Sequence, residues 1–272
     1  MAALVALLTD FGLQDPYVGQ MRGVLARQAP GLAVVDVSHG VEPYNLAQGA
    51  FFLASSLPHF PHGTVFVAVV DPGVGTARRI VALEVAGQAV LAPDNGLLGL
   101  VLAGNVPQGA YDLSAHACGE GVSATFHGRD VFAPLAARIA LGEAPESLGP
   151  ELDSATLVRL PWAEARWDEE HRVAQSAVVH VDRFGNCVLG LPGGPWTGRL
   201  CCSGVLSVRV GGGRTLAARP VLAYGELTQG ELGLMAGSQG YLELCMNQAS
   251  AAKALGVRCA EPVTIILPGG AS

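Results

Sequence analysis

Apolar runs of four to six residues alternate with helix-period stretches through the first 140 residues, and this alternation restricts the fold more than any other property of the chain. Leu4–Leu8, Ala33–Val37, Val65–Val70, Ile80–Val85 and Ala89–Ala92 read as short strands, and Tyr17–Gln28, the alanine-rich Leu46–Leu57 and Val131–Leu141 as helices. Strands separated by helices call for a mostly parallel sheet with helices on both faces. Such sheets bind ligands beyond the carboxyl ends of their strands. Asp10 follows the first strand and Asp71 the third, so both point to that edge. After Ser176 the pattern changes to short alternating runs punctuated by Gly and Pro: Ala177–Val181, Val205–Val210, Val221–Tyr224, Tyr241–Met246 and Val263–Leu267. These predict a small antiparallel sheet or barrel of about 100 residues. The Gly-, Pro- and Glu-rich Gly142–Glu151 and the polar Pro161–Glu170 lie between. The expected fold class is α/β, with an N-terminal α/β domain over 1–160, a connection over 161–175 and a smaller C-terminal antiparallel β-barrel-like domain over 176–272.

Composition then removes several classes of function. The 272 residues are 50% hydrophobic and 14% charged, which suits a compact globular chain and not a disordered one. A net charge of −7 with no Lys/Arg run argues against nucleic acid, because phosphate contacts need clustered cations. Lys253 is the sole lysine, so Schiff-base chemistry is not expected. Cys118, Cys187, Cys201, Cys202, Cys245 and Cys259 show no CxxC spacing and read as scattered reduced thiols, with Cys201–Cys202 a plain vicinal pair on a strand. Met1–Leu8 is apolar without a basic flank and too short to span a bilayer, so it reads as a first buried strand. The expected compartment is the cytoplasm, with no membrane partner.

The common motifs fail. The third glycine of a dinucleotide fingerprint begun at Gly73-Val-Gly75 would fall on Arg78, and no P-loop is present. Ala236-Gly-Ser-Gln-Gly240 lacks the first glycine of a nucleophile elbow. His59 and His62 have no companion ligands for zinc, and no metal site is expected. His39, His116, His171 and His180 show no partner pattern and read as structural or exposed.

An ordered set of segments survives. It comprises Thr9-Asp10-Phe11-Gly12 with Asp15, Tyr17 and Val18; Val70-Asp71-Pro-Gly-Val-Gly-Thr-Ala-Arg78-Arg79; Pro93-Asp-Asn-Gly96; Thr125-Phe-His127-Gly-Arg-Asp130; Asp182-Arg-Phe184-Gly-Asn186; and Gly237-Ser238-Gln-Gly-Tyr-Leu-Glu243. Singly these are ordinary, since Pro-Asp-Asn-Gly is a common tight turn. Among them stand a base (His127), a carboxylate (Asp71) and a fixed cation (Arg78), carried on two segments about fifty residues apart in sequence. If the fold brings them together, they can polarise and hold a water molecule.

In this order the segments resemble the S-adenosylmethionine (SAM) hydroxide adenosyltransferases, the adenosine-forming SAM hydrolases, which are related to the SAM-dependent fluorinating and chlorinating enzymes. The likeness runs from Thr9 to about Val263. It implies hydrolysis of SAM to adenosine and L-methionine by attack of activated water or hydroxide on C5′, without a cofactor, in a homotrimer with sites between neighbouring subunits. It also implies Asp71, Arg78 and His127 as the catalytic set, the spacing of seven from the aspartate selecting Arg78 over Arg79. Asp10 is implied at the ribose hydroxyls and Asn186 at the adenine. Ser238 and Glu243 are implied at the methionine part and the Met246 backbone near the adenine, with Asp182 and Phe184 shaping the pocket.

Elementary chemistry is consistent with these roles. A carboxylate accepts two hydrogen bonds from a diol. Ser238 suits the methionine carboxylate, and Glu243 suits its ammonium. The sulfonium leaves readily, so the difficulty lies in the nucleophile. His127 is the expected base or hydroxide anchor, with Asp71 orienting it and Arg78 stabilising the hydroxide-like charge. Two alternatives predict different residues. A halogenase needs hydroxyl-bearing residues near the halide, where Val74 and Gly128 stand, and it carries a longer connection than Asp94–Tyr111 provides. A non-catalytic sensor of SAM or adenosine needs Asp10, Asn186 and Ser238 but not the catalytic three.

Overall fold

The computed structural model describes residues 4–211 and 215–269, and these divide into two compact units between Arg159 and Leu160. The first unit is built on a six-stranded sheet. Its elements are β1 (Leu4–Thr9), α1 (Tyr17–Gln28), β2 (Ala33–Ser38), α2 (Leu46–Ser56), β3 (Val65–Val69), β4 (Ile80–Val85), β5 (Gln88–Pro93), α3 (Gly99–Gly104), β6 (Gly109–Asp112) and α4 (Ala133–Ala140). The strand order is β2-β1-β3-β5-β4-β6, with the first four parallel and β4 antiparallel to both β5 and β6.

Helices cover both faces, as the alternation predicts. Val5 and Leu7 of β1 face Met21 and Leu25 of α1 and Leu135 and Ala136 of α4 in one apolar core. The opposite face takes α2, whose Asn45 cap accepts from the Gln48 N–H and whose Gly49 allows Leu97 and Val70 to pack tightly against the helix backbone. The helix expected over Val131–Leu141 begins earlier, as a π-helical turn over Gly128–Phe132 that runs into α4. Such turns re-aim side chains and recur at functional sites.

The second unit contains β7 (Arg166–Asp168), β8 (Val173–Val181), β9 (Cys187–Pro192), α5 (Gly193–Leu200), β10 (Leu206–Val210), β11 (Thr215–Pro220), β12 (Leu232–Ala236), β13 (Tyr241–Met246), α6 (Ala251–Leu255) and β14 (Pro262–Ile266). Strands β14-β10-β11-β12-β13-β9-β8 close into a barrel through the β14–β8 pairing, and β7 hangs on β8. A ring with an odd number of strands cannot alternate direction throughout, so at least one neighbouring pair must run parallel. Here it is β11 and β12.

That constraint corrects one expected strand. Val221–Tyr224 does not continue the sheet, because the chain leaving β11 must cross back before β12 can run parallel to it. Val221 instead packs with Leu227, Met235 and Cys245, and Tyr224 opens a helical turn, Tyr224–Glu226. Cys201 and Cys202 lie in the turn after α5 and not on a strand, because α5 ends at Leu200. All six cysteines are free thiols. No helix among the described residues is long and apolar enough to cross a membrane.

The segment after α4 packs tightly along β6, with Asp112 N–H donating to the Pro150 carbonyl and Leu152 N–H to the Ala110 carbonyl. A methyl group at Gly149 would collide with the Asp112 carbonyl. Gly149→Ala is expected to destabilise the protein by about 1–3 kcal/mol, read as a lower urea midpoint with an unchanged slope.

Candidate active site

Parallel pairing aligns Thr9 with Val69 at the ends of β1 and β3. The residues that follow, Asp10 and Val70-Asp71, therefore emerge side by side at the carboxyl edge of the sheet. The loop from Asp71 to Arg78 then folds back on itself. Val74 N–H donates to the Asp71 carbonyl at 3.2 Å, Thr76 N–H to the Gly73 carbonyl at 3.2 Å, and the Thr76 hydroxyl to the same carbonyl at 2.6 Å. Gly75 takes φ +76°, and any side chain there would strike the Ala124 carbonyl. This glycine permits the loop to lie directly against the segment that carries His127.

The result is a contiguous chain of contacts. Arg78 Nε lies 3.0 and 2.9 Å from the two Asp71 carboxylate oxygens, and Nη2 makes a further short contact to Oδ2. Arg78 Nη2 is also 2.9 Å from His127 Nδ1. The side chains of Arg78 and Asp71 are only 8% and 4% exposed, and His127 is 4% exposed. Arg79 takes no part, since it pairs with Asp94 and donates to the Thr156 carbonyl.

These contacts correct the expected arrangement in one respect. Asp71 grips Arg78 and reaches the imidazole only through it, so among the described residues no hydrogen bond orients His127 by a carboxylate directly. A guanidinium cannot accept, so His127 Nδ1 is the acceptor and the neutral ring carries its proton on Nε2. Burial lowers the His127 pKa below its ordinary 6.5, and the Arg78 charge lowers it further against the opposing pull of Asp71 and Asp130.

A cavity of about 650 Å³ opens at this edge, lined by Asp10, Tyr17, Asp71, Val74, Phe126 and His127 among others. Phe11, Tyr17 and Phe126 stack edge to face, with centroids 5.2 to 5.9 Å apart. Gly128 sits in this wall, where an added Cβ would lie 3.2 Å from Met21 Sδ and from the Phe11 and Phe126 rings. Asp10 Oδ2 accepts the Tyr44 N–H at 2.9 Å. Burial raises the Asp10 pKa above 3.8, against the Tyr44 hydrogen bond, and the Asp71 charge adds to the rise. Tyr44 contributes a backbone donor, which sequence reasoning has no means to detect, and Arg129 and Gln20 were not anticipated on the wall.

The remaining expected residues belong to the second unit. Asp182 organises a turn: its Oδ1 accepts from Phe184 N–H (2.9 Å) and Asn186 N–H (2.8 Å), and its Oδ2 from Asn186 Nδ2 (2.9 Å). Gly185, at φ +89°, leaves no room for a side chain beside Ser250. Phe184 projects outward, 78% exposed, while Asn186 is buried. Ser238 lies exposed in the Gly237–Gly240 turn between β12 and β13. Glu243 is buried in β13, packed under Gly237, and Met246 ends that strand. Tyr224, which sequence reading placed on a strand, donates its hydroxyl to Glu243 Oε1 at 2.5 Å. Burial raises the Glu243 pKa, against the Tyr224 hydrogen bond, and the Asp182 charge adds to the rise. Tyr224 and Glu243 thus form a hydrogen-bonded pair that feels the nearby Asp182 charge.

The geometry and the known proteins converge. Residues 5–149 match the family described as the SAM hydroxide adenosyltransferase N-terminal domain, and residues 176–264 its C-terminal domain. The chain is 42% identical over 273 residues to the (R)-S-adenosyl-L-methionine hydrolase of Thermus thermophilus, covering 96% of this chain and 99% of that one. A fluorinase of Nocardia brasiliensis is more distant, 28% identical with 92% of each chain covered. Among solved structures, an uncharacterized conserved protein of Thermotoga maritima superposes with a TM-score of 0.83 at 32% identity, covering 96% of this chain and 99% of that one. The chain belongs to the SAM hydroxide adenosyltransferase family.

Proposed function

We propose that this protein hydrolyses S-adenosyl-L-methionine to adenosine and L-methionine. The observation that carries this reading is the buried Asp71–Arg78–His127 chain of contacts on the wall of a cavity that also holds the Asp10 carboxylate. Water oxygen attacks C5′, the C5′–S bond breaks, and its electron pair leaves on sulfur to give the neutral thioether of methionine. The attacking water gives up its proton to bulk solvent, so the nucleophile held at His127 is hydroxide and no side chain of the set has to accept the proton. The sulfonium is itself the activated leaving group, so no cofactor or metal is part of the proposal.

The division of labour follows from the order of contacts. Arg78 occupies His127 Nδ1, so a neutral imidazole offers Nε2–H as a donor. This suits an anchor for hydroxide better than a proton acceptor, because protonation would place an imidazolium against a guanidinium. Arg78, almost fully buried, supplies positive potential where charge acts more strongly than in bulk water. Asp71 holds Arg78 by both oxygens and fixes its plane. Asp10 takes the ribose diol and Asn186 the adenine, with the Met246 backbone beside it. Ser238 and Glu243 receive the methionine part, and Asp182 and Phe184 shape that side.

In this proposal the protein is a cytoplasmic homotrimer with active sites between neighbouring subunits, as the family resemblance implies. The free thiols suit a reducing compartment. A halogenase reading is disfavoured by Gly128, where any side chain has to fit against Met21 and two aromatic rings already 3.2 Å from its Cβ, and by the aliphatic Val74.

Purified protein incubated with SAM, with and without excess chloride, is expected to release adenosine and methionine in equal amounts and no 5′-chloro-5′-deoxyadenosine. A chelator is expected to leave the rate unchanged. His127→Ala and Arg78→Gln are each expected to lower kcat by about 10²–10³-fold, as for loss of a preorganised donor. Bound but unconverted SAM favours the sensor, and full turnover by His127→Ala overturns the assignment of His127.

The pH profile gives a second check. A lowered His127 pKa keeps the ring neutral at pH 7, so kcat holds steady there and falls only as pH drops through a midpoint below 6.5. Asp10 ionises above 3.8, so its acid limb is expected in KM. In His127→Gln the kcat limb disappears and the KM limb stays.

A further inference from the structure

Beneath the Asp10 turn lies a buried polar array that takes no part in the chemistry above. Thr9, the last residue of β1, is fully buried. Its Oγ1 accepts the Phe11 N–H at 3.2 Å and lies 2.8 Å from Nδ1 of the buried His39. His39 Nε2 faces Asp36 Oδ1 at 3.2 Å in an approach too bent for a hydrogen bond, and neither atom has another hydrogen-bond partner among the described residues. The second Asp36 oxygen pairs with Arg22 of α1. The Asp36 charge beside Nε2 favours the imidazole proton on that nitrogen, which leaves Nδ1 as the acceptor of the Thr9 hydroxyl proton. Thr9 is thereby used as donor and acceptor at once.

The same segment closes two more links. The His39 carbonyl accepts the Gly12 N–H at 2.8 Å, and Tyr44, five residues on, donates its N–H to Asp10. Residues 9–12 are thus tied to residues 36–44 at Thr9, at Asp10 and at Gly12. Neither Thr9 nor His39 lines the cavity.

We propose that Thr9 and His39 are positioning residues for SAM, fixing the turn that aims the Asp10 carboxylate at the ribose. This rests on the reading of Asp10 as the ribose ligand. A turn ordered before binding saves the cost of ordering it on binding, so the effect falls on affinity and not on the chemical step.

Thr9→Val removes the hydroxyl at nearly constant volume and leaves the Phe11 N–H without its partner. KM for SAM and Kd for adenosine are expected to rise roughly tenfold, with kcat within about twofold, and Thr9→Ser to restore both. In the Asp10→Ala background, Thr9→Val is expected to add nothing, because the hydroxyl acts through that carboxylate. Should Thr9→Val fold poorly, His39→Leu against His39→Asn makes the same comparison, since the Asn amide oxygen can accept from Thr9. An unchanged KM in Asp10→Ala overturns the ribose reading and this inference with it. A raised KM in Asp10→Ala together with an unchanged KM in Thr9→Val, or with undiminished additivity in the double variant, overturns the positioning role alone.

Discussion

A guanidinium withdrawn from water must find a carboxylate, and the geometry of the active edge follows from that requirement. Arg78 and Asp71 are both almost fully buried, and breaking such a pair from one side costs about 3–5 kcal/mol through the charge left behind. The seven residues of spacing have to be folded into a loop compact enough for a bidentate grip. The glycines at 73 and 75 and the Thr76 hydroxyl make that loop. Once closed, it presses Gly75 against the Ala124 carbonyl, and so sets the distance from Arg78 to His127. Arg78 also lies 6.0 Å from the Phe132 ring centroid, which ties the cation to the π-helical turn that His127 caps.

The sheet supplies the other half of the constraint. In a parallel pair with a fixed register, the residues just past two neighbouring strands have to emerge together, and Asp10 and Asp71 do. Two carboxylates on one edge repel, and this contributes to the raised Asp10 pKa. The conflict is resolved unequally. Asp71 is neutralised by Arg78, whereas Asp10 is held by a backbone N–H and remains available to a ligand with hydroxyl donors. Similar residues at equivalent strand ends thus acquire different roles from their partners.

Much of this was legible in the sequence where local periodicity decided the outcome. α1, β4 and β13 occupy the ranges expected of them, and α2 differs by one residue. Where closure of the barrel decided, local pattern failed: β9, β11 and β12 were not anticipated, and Val221–Tyr224 became the start of a crossover because a seven-strand ring needs a parallel pair. The site divides along the same line. Asp71, Arg78 and His127 were recognisable as residue types in a motif, and the fold brings them together. Tyr44 acts through its backbone and Tyr224 through a hydroxyl placed by a helical turn, so no residue pattern announces either. His39 showed no partner pattern because its partners, Thr9 and Asp36, come from two different strands.

The order of contacts among Asp71, Arg78 and His127 was the least legible feature, and it bears most on the proposed mechanism. A carboxylate bound directly to an imidazole raises that ring's basicity and holds the proton on the nitrogen it faces. A guanidinium in the same place does the reverse: it takes the lone pair of Nδ1, lowers basicity by its charge, and fixes the proton on Nε2. A carboxylate placed directly on the imidazole, with the guanidinium elsewhere, makes the ring a proton acceptor. In the order carboxylate, guanidinium, imidazole the three groups make a cationic cradle with an N–H at its tip. A cradle of that kind stabilises an anion without needing to accept its proton. That property matches a displacement in which the leaving group departs as a neutral thioether and the nucleophile alone carries negative charge.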